Sequence, residues 1–220
     1  MTELVVIVGL LCIAFIAWLD ANMTYNPQQY WNRRALARQC EFDGRGSEKV
    51  DDFFDNVFTK IEWRETDKVL EVDCGDGKIY RAFKGRGIPI DLTCCDFAEE
   101  YRKKFFEYTG IMPDYWDGQT LPYEDNSFKM VISYNVLLHV KPEDFEQVWS
   151  EYVRVSQKYL FVSTFAPSRT RPEAQNLSEH CFANDYWTMI RKYKLHLIYE
   201  KAFEEHNSNW LFEVPDERTT

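Results

Sequence analysis

The sequence predicts an α/β fold, in which helices cover a mostly parallel sheet that ends in an antiparallel hairpin. Short apolar runs alternate with amphipathic segments through most of the chain, which is typical of parallel strands joined by helices. The run Val69–Asp73 leads directly into a glycine-containing turn. The last two apolar runs are joined by the polar stretch Glu205–Ser208, which predicts the hairpin.

The individual elements follow from hydrophobic periodicity. The pattern predicts strands at 69–73, 90–96, 114–117, 129–135, 159–164, 194–203 and 208–215. It predicts helices at 77–85, 98–109, 142–156 and 179–192. An earlier helix, Glu48–Lys60, has Ser47 as a candidate N-cap and places Val50, Phe53 and Val57 on one face. The seven strands predict one sheet.

Composition limits the possible classes of protein. The 220 residues, 45% of them hydrophobic, are sufficient for one domain with a full core and a short extension. We predict a hydrophobic helix at 1–22, a helical extension at 23–60 and the main domain at 61–216. The net charge of -10 argues against a partner such as nucleic acid, which requires a basic surface. The six cysteines form no CxxC pair, so we expect reduced thiols and no metal site.

The amino-terminal run Leu4–Leu19 is apolar and uncharged. As a helix it would span about 24 Å, slightly less than a bilayer core of about 30 Å. The arginines follow the run, so the positive-inside rule predicts a single-pass membrane anchor with the main domain in the cytoplasm. A signal peptide and a buried helix are the alternatives. The signal peptide is disfavoured because no basic residue precedes the run.

The turn after Val69–Asp73 has the residues of a nucleotide-binding site. Gly75 and Gly77 would let a ligand approach the backbone closely at the carboxyl end of a strand. Asp96 ends the next apolar run about twenty residues later, at the spacing of an acid that binds a ribose. These residues predict a cofactor that contains a nucleoside. A nicotinamide cofactor is disfavoured because Tyr80 stands where its fingerprint has a third glycine.

Four segments together resemble a known family. They are the turn up to Gly77, the strand that ends at Asp96, the segment 117–128, and the run 131–140. In this order and spacing the chain resembles a class I S-adenosylmethionine-dependent methyltransferase of the type 11 kind. The resemblance implies a Rossmann-like seven-stranded sheet, S-adenosyl-L-methionine as cofactor, and methyl transfer to an acceptor.

The resemblance also implies roles for individual residues. Gly75 and Gly77 would face the methionyl and ribose groups, and Asp96 would bind both ribose hydroxyls. Phe97 would contact the purine, and Asp117, with Gly118 beside it, would accept from the adenine amine. Backbone carbonyls near Asn135 and the Glu71–Asp73 turn would bind the ammonium group. The cofactor-binding set is therefore Glu71, Asp73, Gly75, Gly77, Asp96, Phe97, Asp117, Gly118 and Asn135.

The sequence departs from the family pattern at two positions. Asp73 stands where the family usually has its first glycine; its carboxylate would either repel the cofactor's carboxylate or pair with its ammonium group. Lys129 replaces an acid at the start of the fourth strand. The first departure leaves open a second hypothesis, a methyltransferase-like protein that serves as a binding partner or scaffold.

The sequence says little about the methyl acceptor. Methyl transfer requires a positioned nucleophile and needs no metal. His139 is the candidate general base, with helix packing or solvent exposure as its alternative, and His180 is a weaker candidate. Tyr30 would either close over the cofactor or pack its helix on the core. The acceptor is a small molecule, a lipid-associated metabolite or a protein side chain.

Overall fold

The protein is described here from a computed structural model, which covers residues 25–37, 47–165, 176–178, 180–203 and 207–215. The predicted membrane anchor at 4–19 lies outside these ranges. Within them, no helix has both the length and the apolar character needed to cross a membrane.

The described chain forms nine strands. They are β1 (Lys68–Val72), β2 (Asp91–Asp96), β3 (Asp114–Tyr115), β4 (Phe128–Tyr134), β5 (Ser156–Phe165), β6 (Asn176–Ser178), β7 (Cys181–Phe182), β8 (His196–Ala202) and β9 (Asn207–Glu213). Seven of them make one sheet in the order β3-β2-β1-β4-β5-β9-β8. Strands β1 to β5 are parallel, and β9 is antiparallel to β5 and β8. The predicted mixed sheet with its terminal hairpin is confirmed.

Helices connect and cover these strands. They are α1 (Pro27–Ala37), α2 (Ser47–Asp52), α3 (Lys78–Gly85), α4 (Glu99–Thr109), α5 (Pro142–Val155) and α6 (Tyr186–Lys192). A π-helical turn, Phe53–Val57, and a 3₁₀ turn, Phe58–Lys60, continue α2, and another 3₁₀ turn, Leu137–His139, follows β4. The predicted helix 48–60 therefore exists, but only its first part is α-helical.

Two hydrophobic cores lie on opposite faces of the sheet. In β5, Leu160 and Val162 belong to the core that contains Trp149 of α5, whereas Phe161 belongs to the core of Phe53. Successive side chains of a strand point to opposite faces, so a strand buried on both sides is apolar throughout. This burial explains the continuous hydrophobic run that predicted β5.

The predicted helix 179–192 is wrong in its first half. Residues 181–182 form β7, which pairs with β6, and α6 begins only at Tyr186. The Asp185 carboxylate accepts from the backbone N–H of Thr188 at 3.0 Å and caps the helix there. The Asn184 side chain also donates to the carbonyls of Leu137 and Val140 at 2.9 Å each, which fixes the preceding chain in a non-helical path.

One smaller expectation is also corrected. Strand β3 spans two residues rather than the four predicted at 114–117. Lys129, which replaces an acid at the start of β4, has a side chain that is 13% exposed, and its Nζ lies 2.5 Å from the Asp67 carboxylate. The ion pair stabilises the ammonium group at this partly buried position.

Candidate functional site

A cleft of about 550 Å³ opens at the carboxyl ends of β1, β2 and β4. In parallel sheets this edge is the usual place for a ligand. Asn26, Pro27 and Trp31 of the amino-terminal segment line one side of the cleft. Helix α1 is held there by Asn32, whose side-chain oxygen accepts from the Glu100 backbone N–H at 3.1 Å. The cleft is therefore closed partly by a segment outside the α/β core.

The turn after β1 is built from three left-handed residues. Asp73, Gly75 and Gly77 have φ angles of 53°, 56° and 84°. Gly77 is required for a second reason, because a Cβ atom there would lie 2.9 Å from ring carbons of Phe105. The turn thus brings backbone to the cleft at Gly75 and allows α3 to begin immediately after Gly77.

Asp96 lines the cleft and is only 3% exposed. One carboxylate oxygen, Oδ2, accepts from the Gly75 backbone N–H at 2.8 Å, and Oδ1 accepts from the Ala98 N–H at 2.7 Å. Burial raises the pKa of this carboxyl to about 6, although both N–H groups favour its charged form. Asp96 therefore joins the two turns that border the cleft, in addition to facing it.

Asp73 lies in the same cleft but does not fill it. Its Oδ1 accepts a hydrogen bond of 2.7 Å from the indole N–H of Trp116, which is 2% exposed. Burial, together with the nearby Asp96 carboxyl, raises the pKa of Asp73 well above its usual range. The carboxyl group is thereby directed to a buried partner, and the space above Gly75 remains open.

A third acid, Glu71, is buried on β1 and borders the cleft. The Cys94 thiol lies 3.8 Å from its Oε2. Burial raises the pKa of Glu71 well above its ordinary value, and Asp76 and Asp96 add to the effect. Three carboxyl groups with raised pKa values therefore surround one cleft, where a bound cation would be favoured.

The far side of the cleft is formed by the segment after β3. Phe97, Asp117 and Gly118 all line the cleft. Asp117 is exposed, and its Oδ1 accepts from the backbone N–H groups of Gln119 at 2.9 Å and Thr120 at 2.6 Å. These bonds lower the pKa of Asp117, so this carboxylate is charged near neutral pH.

Asn135 lies at the end of β4 and also lines the cleft. It has a left-handed φ of 57°, a conformation that asparagine tolerates better than most residues. Its backbone N–H donates to the Ser163 carbonyl at 2.7 Å. All nine residues predicted to bind a cofactor are thus near one another; eight line the cleft directly, and Gly77 supports the turn beneath it.

Comparison with known proteins gives one family match. Residues 70–159 match the family described as "Methyltransferase domain". This segment is less than half of the chain, and it is similar to class I methyltransferase domains, a family whose cofactor is S-adenosylmethionine. No curated protein matches the chain in sequence.

Solved structures share the fold of this chain at low sequence identity. The PH0226 protein from Pyrococcus horikoshii OT3 aligns with a TM-score of 0.63 at 16% identity, over 80% of this chain and 93% of its own. Magnesium protoporphyrin IX methyltransferase from Synechocystis PCC 6803 was solved with bound S-adenosylmethionine. It aligns with a TM-score of 0.59 at 14% identity, over 86% of this chain and 95% of its own. The [4+2]-cyclase SpnF aligns with a TM-score of 0.65 at 12% identity, over 80% of this chain and 83% of its own.

His139, the candidate general base, lines the cleft from the 3₁₀ turn after β4. Its Nδ1 lies 2.7 Å from the His180 carbonyl oxygen. Burial lowers its pKa to about 4, so the imidazole is neutral near pH 7. The ring of Trp31 contacts it edge-on at 4.6 Å between centroids. His139 is therefore a packed residue as well as one that faces the cleft.

Several residues of the site were not predicted from the sequence. Trp31, not Tyr30, lines the cleft; Tyr30 instead stacks on His180 at 4.6 Å. The Trp116 indole binds Asp73, and Trp116 lies just before the motif segment 117–128. One partial signal for Trp31 was present in the sequence. Tyr30 and Trp31 are adjacent aromatic residues in an otherwise polar helix, and such a pair predicts that the helix packs on another surface.

The segment that carries Asp117 is fixed by another pair that the sequence analysis missed. Glu151 of α5 accepts from the Leu121 backbone N–H at 2.8 Å. Arg154 donates to the carbonyls of Leu121 at 3.1 Å and Tyr123 at 2.8 Å. Glu151 and Arg154 also pair with each other at 2.7 Å. The pair therefore holds the far side of the cleft against α5.

Proposed function

We propose that this protein is a methyltransferase that binds S-adenosylmethionine in the cleft and transfers its methyl group to an acceptor not yet identified. The observation that carries the proposal is the open cleft between the left-handed turn at Gly75 and the buried Asp96 carboxyl. The bound cofactor supplies a methyl group activated by a sulfonium centre. The chain supplies the cofactor site and the position of the acceptor.

The charge of the cleft supports a positively charged ligand. S-adenosylmethionine has a sulfonium and an ammonium group, and Glu71, Asp73 and Asp96 have raised pKa values because they are buried together. A cation beside them would favour their charged forms and lower those pKa values. Binding of the cofactor is therefore expected to release protons near pH 6 and slightly below it, where Asp96 is partly protonated in the free protein.

We assign the cofactor contacts as the family resemblance implies. Asp96 keeps its two backbone hydrogen bonds and uses the remaining lone pairs of its oxygens for the ribose hydroxyls. Asp117, charged and exposed, accepts from the adenine amine, and Phe97 contacts the purine ring. The carbonyls near Asn135 and the Glu71–Asp73 turn accept from the ammonium group.

The test is isothermal titration with S-adenosylhomocysteine, with one matched pair of variants. Asp96→Ala removes the ribose acid, and Asp91→Ala changes the same residue type at the exposed opposite end of β2. We expect micromolar binding by the unchanged protein and by Asp91→Ala, and a loss of tenfold or more in Asp96→Ala.

Because Asp96 also joins two turns, a second variant separates binding from folding. Asp117→Ala changes an exposed residue and is expected to weaken binding while lowering the melting temperature much less than Asp96→Ala does. Absence of binding by the unchanged protein at millimolar ligand would exclude the proposal.

The second candidate is a methyltransferase-like protein that binds a partner and transfers no methyl group. Asp73 favours it, because a carboxyl group occupies a position of the turn where the family usually has glycine. SpnF, named as a cyclase, illustrates that this fold hosts other activities. If the unchanged protein fails to bind S-adenosylhomocysteine and Asp73→Gly binds it, this second candidate is correct.

We also propose that residues 4–19 anchor the protein in a membrane, with the domain on the cytoplasmic side, where the acceptor would be encountered at high effective concentration. The uncharged apolar run supports this proposal, and so does the cleft-lining Pro27, which lies eight residues after it. Cell fractionation tests it: the full chain should sediment with membranes after a high-salt wash. A chain with Leu10→Lys and Leu11→Lys should not, and equal behaviour of the two would exclude the anchor.

A further inference from the structure

Three side chains with nitrogen and sulfur donors meet beside the cleft. They are His139, from the 3₁₀ turn after β4, and His180 and Cys181, at the start of β7. One ligand atom of each lies within 4.8 Å of the others. All three side chains are partly buried. The sequence gives no spacing signal for this cluster, because about forty residues separate its two parts.

The separation of two donors fits a tetrahedral zinc ion. Zinc bonds are about 2.3 Å to cysteine sulfur and about 2.0–2.1 Å to histidine nitrogen, so at a tetrahedral angle the two donor atoms lie about 3.6 Å apart. The Cys181 Sγ lies 3.6 Å from the His139 Nδ1. The His180 ring, stacked on that of His139 at 5.4 Å between centroids, must rotate to bring its nitrogen to the same ion.

The surroundings of the cluster also suit a metal ion. Trp31 contacts the ring of His139, and Tyr30 stacks on His180, each at 4.6 Å between centroids. Apolar rings around a site limit access of water and strengthen the bonds to the ion. Magnesium and calcium prefer oxygen donors, whereas imidazole and thiolate together favour zinc.

We propose that His139, His180 and Cys181 bind one Zn²⁺ ion at the edge of the cleft. The Nδ1–H of His139 donates to the His180 carbonyl before the ion binds. On binding, the neutral imidazole changes tautomer, so that its proton moves to Nε2 and the Nδ1 lone pair binds the ion, and the Cys181 thiol releases its proton to water to become a thiolate. Three protein ligands leave a fourth position for water or another molecule. Zinc binding does not depend on the proposed cofactor contacts.

Cobalt titration of the purified full chain, followed by absorption, tests the site. Co²⁺ bound to a thiolate gives a near-ultraviolet charge-transfer band and strong visible bands when the geometry is tetrahedral. The expected result is one Co²⁺ per chain, with both sets of bands, displaced by an equivalent of Zn²⁺. Cys181→Ser should abolish the charge-transfer band, and His139→Ala and His180→Ala should each lower the affinity for Zn²⁺ by about tenfold or more.

Two control variants distinguish this cluster from other donors. His196→Ala changes an exposed histidine of β8, and Cys94→Ser changes the thiol that lies beside Glu71. Both should bind cobalt as the unchanged chain does. The proposal is wrong if no stoichiometric metal binds at micromolar concentration, or if the charge-transfer band persists in Cys181→Ser. Because the readout needs neither cofactor nor acceptor, failure here leaves the methyltransferase proposal standing.

Discussion

The Asp73 carboxylate accepts a 2.7 Å hydrogen bond from the indole N–H of Trp116, across the base of the cleft. The two residues are 43 positions apart, one in the turn after β1 and one after β3. The bond gives a partner to a buried indole and directs the carboxyl away from the space above Gly75. It explains how the turn accommodates a side chain where the family has glycine.

Replacing Asp73 should separate the effects of its hydrogen bond and its backbone conformation. Asp73→Asn keeps an oxygen acceptor for Trp116 and a residue that tolerates φ near 53°, so we expect a loss of less than about 1 kcal/mol in unfolding free energy. Asp73→Gly relieves the left-handed conformation but leaves the indole N–H without its acceptor, so we expect a loss of about 1–2 kcal/mol. Urea unfolding measures both, and equal stability of Asp73→Gly and the unchanged chain would contradict this account.

The Asp96 carboxyl should make stability depend on pH. Its pKa in the folded chain is about 6, above its ordinary value of 3.8, so the folded state binds more protons than the unfolded state between these values. Its stabilising contribution is complete below about pH 4 and is lost as the pH rises through about 6.

The measurement compares unfolding free energies of the unchanged chain and Asp96→Asn at several pH values without ligand. Between pH 4 and pH 6, the unfolding free energy of the unchanged chain should fall relative to that of Asp96→Asn. Comparison with the variant is necessary because other carboxyl groups also make stability depend on pH. Asp52 and Asp117 have lowered pKa values, so their contributions to stability increase as the pH rises. A constant difference across this range would refute the role given to Asp96.

Gly77 should be more sensitive to substitution than a left-handed glycine in open space. Gly77→Ala places a Cβ atom 2.9 Å from the buried Phe105 ring at a φ of 84°. Gly87→Ala has the same backbone cost, with a φ of 63°, but meets nothing within 4 Å.

We expect a loss of about 1–2 kcal/mol for Gly87→Ala, from the left-handed conformation alone. Gly77→Ala should lose about 1–3 kcal/mol more because of overpacking. Thermal unfolding followed by circular dichroism compares them. Equal losses would show that the Phe105 ring moves aside easily.

A buried polar network should stabilise the junction of α2 with the terminal hairpin. The Asp52 carboxylate, 3% exposed, accepts from the Tyr199 hydroxyl at 2.6 Å and from the Asn209 amide at 2.8 Å, and it lies 3.3 Å from the Lys201 ammonium. Removal of this acceptor leaves several donors without a partner.

Asp52→Ala should therefore lower the unfolding free energy by about 2–4 kcal/mol. Its neighbour Asp51 pairs with Arg86 at the exposed surface, so Asp51→Ala should cost less than about 1 kcal/mol. Chemical denaturation of the two variants gives the comparison, and the prediction fails if their losses are similar.

The sequence alone determined the order of the main strands and helices along the chain and the residues of the glycine turn. Hydrophobic runs predicted the central strands β1, β4 and β5, because burial on both faces requires apolar residues throughout. The turn residues Gly75 and Gly77 and the acid Asp96 were predictable because local chain geometry fixes their distance from a strand end.

Only the tertiary structure decided how distant segments meet at the cleft. The Asp73–Trp116 bond, the position of Trp31 and the cluster of His139, His180 and Cys181 each join parts of the chain that are about forty residues or more apart. No local periodicity encodes such contacts, because they depend on how loops and helices pack after the sheet has formed. For the same reason the sequence predicted no metal site, whereas the folded chain brings three suitable donors together.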